Sequence, residues 1–161
     1  MSNKAAYVQL YKDPVLKQVI ETTGKLAPLP PIDPYRGLLK SIVSQQLSTK
    51  AADTIYSRFL DLYPRKNPGP KRVLETEISD LRNAGLSNAK SGYIKNVAQF
   101  SIEGHLKRSV LSRMDDPELV EHLTQIKGVG NWTAEMIAMF SMKSEYIFPI
   151  DDMGIMNTII Q

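Results

Sequence analysis

Apolar residues recur along this chain every three to four positions, and nearly every such run is bracketed by a helix start or stop signal. "DPVLKQVIETTG" opens with Asp13 placed to cap and Pro14 at the first helical position, and it stops at Gly24. The Asp-Pro opening returns at Asp33 and Pro34 in "DPYRGLLKSIVSQQ", which gathers Leu38, Leu39, Ile42 and Val43 on one face. Ser48 is placed to cap "TKAADTIYSRFLDLY", with Ala52, Ile55, Phe59 and Leu62 as its apolar face. "VLETEISDLRNAG" predicts a helix ending at Gly85, Ser87 caps "NAKSGYIKNVAQF", and Asp116 and Pro117 start "ELVEHLTQI". Two stretches read as loops: the proline-rich "KLAPLPPI", and "PRKNPGPKR", which carries four positive charges and no negative one. "YIFPI" is ambiguous, and no longer alternating pattern predicts a strand. The expected class is all-α, with short loops and no long repeat.

Composition narrows this picture. At 161 residues and 42% hydrophobic, the chain can bury one core, as one compact domain or two small lobes. No apolar run approaches the roughly 20 residues that span a bilayer, and the N-terminus lacks the apolar centre of a secretory signal. The complete lack of cysteine excludes disulfides, zinc–thiolate sites and iron–sulfur clusters, and fits a reducing, intracellular setting. A net charge of +3 and a pI near 9.0 are compatible with a polyanionic partner without requiring one. His105 and His122 stand alone on polar helical stretches with no metal-ligand spacing around them, so they read as solvated surface.

The chemistry concentrates in "QIKGVGNWTAEMIAMF", which reads as helix, tight turn, helix. Gly128 and Gly130 permit positive φ and leave no Cβ in the way of an approaching group. The amides of Val129, Gly130 and Asn131 are then expected to point outward at a helix start, where unpaired N–H groups and the dipole favour an anion such as a DNA phosphate. A tight αα turn that uses glycine for geometry alone explains the same letters.

Four ordered motifs carry a resemblance. "LTQIKGVGNWTAEMI" looks like the helix-hairpin-helix of the base-excision DNA glycosylases, the HhH-GPD superfamily. "FPIDDMGI" resembles the segment bearing that superfamily's catalytic aspartate, with Asp152 in that place and Ile155 three residues on. "LLKSIVSQQLSTKAADTIYSRF" and "LRNAGLSNAKSGYI" are similar to segments of its DNA-3-methyladenine glycosylase II branch. The resemblance implies a single glycosylase domain over residues 1–161, with an N-terminal lobe over about 1–32 and a helical catalytic region over about 33–161. It also implies double-stranded DNA with alkylated bases as partner, no membrane, and a monomer. Relatives continue with further helices and a W-x-P-[YF]-R-like stretch, so C-terminal helices are expected to be missing here, exposing apolar surface that favours self-association.

Roles follow from the same resemblance. Members that nick the strand carry a lysine two residues after the second glycine; this chain has Trp132, which implies a water nucleophile and no lyase step. Lys127, Gly128, Val129, Gly130, Asn131 and Thr133 are placed at the DNA-facing hairpin, with Lys127 facing phosphate or solvent. Trp132, Tyr35 and Met136 are the base-pocket candidates, although Tyr35 and Met136 equally suit a core. Gln45 and Gln46 match the turn that wedges into the base stack, Gln46 being the better placed. Main-chain carbonyls of Thr124, Ile126 and Val129 are positioned to hold Na+ or K+; no other cofactor is implied. In "PIDDMGI" either aspartate can instead cap the final helix, and a register shift of one would promote Asp151.

The substrate class agrees with these residues. A purine alkylated at N3 or N7 is cationic, so its glycosidic bond is weakened and needs no general acid, and no well-placed histidine is present. The reaction needs a carboxylate in a poorly hydrated cleft to face the positive charge that develops on the sugar. Asp152 is the candidate, with Trp132 stacking on the flipped base.

Overall fold

Asp13 and Asp33 cap helices in two different units. The Asp13 carboxylate accepts from the amides of Val15 (2.8 Å) and Leu16 (3.0 Å), and that of Asp33 accepts from Arg36 (3.0 Å). The computed structural model describes residues 3–25, 30 and 32–159. The units are Met1–Pro30 and Pro31–Gln161. Most of the proline-rich stretch between them lies outside the described residues.

The first unit holds α1 (Asn3–Leu10) and α2 (Pro14–Thr23), closed by Gly24 at φ +82°. The second holds α3 (Pro34–Ser44), α4 (Thr49–Asp61), a 3-10 turn (Pro64–Lys66), α5 (Pro70–Glu75), α6 (Ile78–Asn83) and α7 (Asn88–Ile102). There follow α8 (Arg108–Leu111), α9 (Asp116–Thr124), α10 (Asn131–Ile137) running into a π turn (Ala138–Met142), and α11 (Met153–Ile159). No strand occurs among the described residues, and "YIFPI" is irregular backbone.

Helix α7 is the central strut, packing on α3, α5 and α6, while α10 packs on α9 and α3. Leu38, Leu39, Ile42 and Val43 of α3 and Ile94 and Val97 of α7 are fully buried. Each such aliphatic contributes about 1.5–3 kcal/mol relative to exposure. Ser48 and Ser87 cap α4 and α7 as their positions suggest.

Several sequence expectations need correction. "VLETEISDLRNAG" is not one helix. Thr76 leaves the helical region (ψ 130°), its hydroxyl donating to the Arg72 carbonyl (2.7 Å) and paired with the Tyr63 hydroxyl (3.1 Å). Lys95 of α7 donates to the Leu74 carbonyl (2.8 Å), an acceptor that the ended helix leaves open. The basic loop is partly helical, because Pro70 is suited to the first position of α5. Asp115 rather than Asp116 caps α9, in a reciprocal capping box with Glu118. Leu62 is exposed at the C-cap of α4. The histidines do not stand alone: His105 and His122 lie 5.7 Å apart between ring centroids, and both pack on Phe100.

Candidate base pocket and nucleic-acid interface

Helix α9 ends at Thr124, and the chain turns through Gln125–Gly130 into α10. The two glycines of this turn answer to different constraints. Gly128 sits at φ +105°, and a Cβ there would lie 2.2 Å from the Tyr93 ring, so only glycine fits. Gly130 is extended (φ −92°, ψ 174°), and a Cβ there would meet nothing within 4 Å. The protein's own packing thus gives no reason for the second glycine.

One of the three expected outward amides is used internally. Val129 N–H donates to the Ile126 carbonyl (2.9 Å), closing the turn, and the Val129 side chain is buried. The amides of Gly130 and Asn131 make no hydrogen bond among the described residues. Lys127 and Asn131 are exposed, but Thr133 is buried, so its side chain belongs to the core under α10 and not to the surface. The Ile126 carbonyl accepts from Val129, whereas those of Thr124 and Val129 accept nothing among the described residues. Those of Lys127 and Gly128 are taken by the side-chain amides of Asn96 (3.1 Å) and Gln45 (3.1 Å).

Gln45 and Gln46 form the turn after α3. The Gln45 amide, reaching the Gly128 carbonyl, is committed to the hairpin and partly buried. Gln46 is held at φ +57°, a left-handed conformation uncommon for a side chain of this size. Gln46 is exposed, and among the described residues its side chain makes no bond to the hairpin.

Between α3 and α10 lies a cavity of about 550 Å³. Trp132, Met136 and Phe140 line one wall at four-residue spacing, with Ile137 and Ser141 beside them; the polar face of α3 supplies Arg36, Lys40, Ser44 and the glutamine turn. Trp132 and Met136, two of the three base-pocket candidates, are lining residues of this cavity. Tyr35 is not: it points into the core, and its hydroxyl donates to the Pro68 carbonyl (2.9 Å). Burial, then the neighbouring Tyr63, pushes its phenol above the ordinary range. Phe140, Arg36 and Lys40 have no place in the sequence reading of the site. The step of four from Trp132 through Met136 signals Phe140. The cations are hidden because they occupy the face of α3 opposite its apolar one.

Asp152 stands beside this cavity without lining it. Its Oδ2 accepts the Trp132 indole N–H (2.9 Å), and its Oδ1 accepts the amides of Gly154 (2.9 Å) and Ile155 (3.1 Å) at the start of α11. The carboxylate is thus a helix cap and a partner of the pocket tryptophan at once. The indole first, and then the Ile155 amide, hold its carboxyl below the ordinary carboxylate value. The expected poorly hydrated cleft is not what surrounds it: Asp152 is partly exposed, and Phe148, Ile150 and Met153 nearby are exposed too. Asp151 is exposed and makes no cap.

Comparison with known proteins fits this geometry. Residues 39–161 match the family described as HhH-GPD superfamily base excision DNA repair protein. The chain belongs to the HhH-GPD superfamily. It is 33% identical over 146 residues to DNA-3-methyladenine glycosylase 1 of Schizosaccharomyces pombe, covering 88% of this chain and 64% of the relative. It is 35% identical over 135 residues to the alkylbase DNA glycosidase-like protein mag2 of the same yeast, covering 82% and 63%. The chain thus spans just under two thirds of the length of these curated relatives. The solved structure of the S. pombe 3-methyladenine DNA glycosylase in complex with abasic DNA superposes with a TM-score of 0.81 at 32% identity, over 91% of this chain and 74% of that one. The helical HhH-GPD fold expected from the hairpin and its flanking motifs is therefore the fold observed. No described helix is long and apolar enough to cross a membrane.

Proposed function

We propose that this chain acts as a monofunctional DNA glycosylase on alkylated purines of the 3-methyladenine and 7-methylguanine type, leaving an abasic site in duplex DNA. The observation that carries the reading is the Trp132–Asp152 contact, which ties an ionised carboxylate to a wall of an apolar cavity with ample room for a base, on the helix that leaves the hairpin. The similarity to glycosylases of S. pombe supports the substrate class.

The chemistry follows from the charges. An N3- or N7-alkylated purine is cationic, and heterolysis of its C1′–N bond returns the bonding pair to the base, which leaves neutral. Positive charge then develops on the deoxyribose, where the Asp152 carboxylate stabilises it. Water forms the new C1′–O bond and gives up a proton to solvent. Trp132, 40% exposed, stacks on the flipped cationic base with a cation–π contribution of about 0.5–2 kcal/mol. With tryptophan and not lysine at position 132, the amine that would form a Schiff base is not supplied from that position, which supports hydrolysis without strand nicking.

On the DNA side, the Gly130 and Asn131 amides dock a phosphate, Lys127 adds charge, and Gln46 fills the space that the flipped base leaves. The main-chain carbonyls of Thr124, Ile126 and Val129 would hold a monovalent cation, which would supply positive charge beside a docked phosphate.

A second reading, a DNA-binding module that cuts nothing, is favoured by one feature: Asp152 lies outside the cavity with one oxygen committed to capping α11. Single-turnover release of methylated purines from alkylated duplex separates the two. The glycosylase reading expects release by the wild type and a drop of about 10²–10³-fold in Asp152→Asn with duplex affinity kept. Equal release by both proteins removes Asp152 from the mechanism, and no release by either, with duplex still bound, leaves the module.

A further inference from the structure

Helix α7 touches both turns assigned to DNA, and its contacts are unusually directed. Lys90, on the first turn of α7, donates its ammonium protons to the carbonyls of Gln45 (2.6 Å) and Val43 (2.9 Å), the open acceptors at the C-terminus of α3. Three residues on, Tyr93 lies under Gly128; three further, Asn96 donates to the Lys127 carbonyl (3.1 Å). Gln45 closes the circuit, since its main chain is held by Lys90 and its side chain by Gly128 of the hairpin. Gln46 follows at once in a left-handed conformation that neighbouring contacts must maintain. A helix end can be capped by water or by its own side chains; here a partly buried lysine from another helix is used.

We propose that Lys90 is a positioning residue that locks the Gln45–Gln46 turn to the hairpin, so that the Gln46 side chain and the phosphate-facing amides meet DNA at one fixed spacing. The proposal rests on the reading of these two turns as DNA-facing, given above, but not on base release. Lys90 does not line the cavity and touches no reacting atom. Loosening the turn would leave phosphate docking in place and blur the insertion of Gln46.

The test uses the full chain and a duplex with 2-aminopurine opposite an abasic-site analogue, where insertion of a side chain changes the fluorescence without any bond being broken. The wild type gives a change, and Gln46→Ala abolishes it. Lys90→Met gives a change at least about twofold smaller, with affinity for undamaged duplex and cooperative thermal unfolding retained. Lys90→Arg restores the signal, because a guanidinium can also donate to two carbonyls. Gln45→Ala, which cuts the other arm of the lock, reproduces the loss and serves where Lys90→Met unfolds. A wild-type signal in both variants overturns the proposal, as does a loss matched by equal loss of duplex affinity, or no fluorescence change with the wild type. Release of alkylated purines alongside an unaltered signal sinks the lock while leaving the glycosylase reading intact; the reverse pattern does the opposite.

Discussion

Around the hairpin, α7 sets Lys90, Tyr93 and Asn96 against separate points of backbone, and Gln45 bridges the two turns; around Asp152, one indole N–H and two amides of its own helix do the holding. The first region is fixed by packing and by hydrogen bonds from other helices. Among the described residues the second is held by a single side chain from elsewhere, and its neighbours Tyr146, Phe148, Ile150 and Met153 lie in solvent. A scaffold that docks DNA benefits from being rigid before the duplex arrives, since docking then loses little ordering entropy. The carboxylate is placed less securely, so in the proposed glycosylase reading its placement is the sensitive point.

The largest effect that could break this contrast is on the rigid side. Gly128→Ala forces a positive φ on alanine and drives Cβ into Tyr93, so urea unfolding should show a loss of about 2–4 kcal/mol. An unchanged midpoint would mean that the hairpin yields more than its contacts suggest. On the Asp152 side, Trp132→Phe keeps a ring but removes the N–H donor. Single-turnover release should fall about tenfold, the size of one charge-assisted hydrogen bond. The same substitution should move the Asp152 titration, read by carboxyl NMR, up toward the ordinary aspartate value. Because the folded value is lowered, the stabilisation that this contact gives is present above the unfolded pKa and is lost as pH falls through the folded one. Trp132→Phe should shrink that acid-side loss.

Smaller effects sharpen the picture. Tyr35→Phe deletes the bond to the Pro68 carbonyl and should cost about 1 kcal/mol of stability without altering release, as befits a core residue. Gly130→Ala should change stability by no more than about 0.5 kcal/mol, because its Cβ enters open space, yet weaken duplex binding if a phosphate approaches there. Unaltered binding would show that the open space serves nothing.

How much of this was legible in the letters depends on whether the deciding force is local. The caps at Asp13, Asp33, Ser48 and Ser87 were readable because a cap and its amides lie within three residues. The break at Thr76 was not, since it is decided by Tyr63, thirteen positions away, and by Lys95, which reaches the Leu74 carbonyl from a different helix. In the site, the motif-based candidates Trp132 and Met136 line the cavity, whereas Tyr35, which suited core and pocket alike, lies in the core. The glycines were readable as a pair, but not which of them the protein needs for itself. That distinction requires knowing that Tyr93 lies under one and nothing under the other.

If Asp152 acts on the sugar while Trp132 holds it, a double-mutant cycle in single-turnover release of methylated purine exposes the coupling between them. Asp152→Asn and Trp132→Phe, singly and together, should be non-additive, with the indole change costing little once the carboxylate is gone. Full additivity, with Trp132→Phe slowing release as much on top of Asp152→Asn as it does in the wild type, would contradict the account.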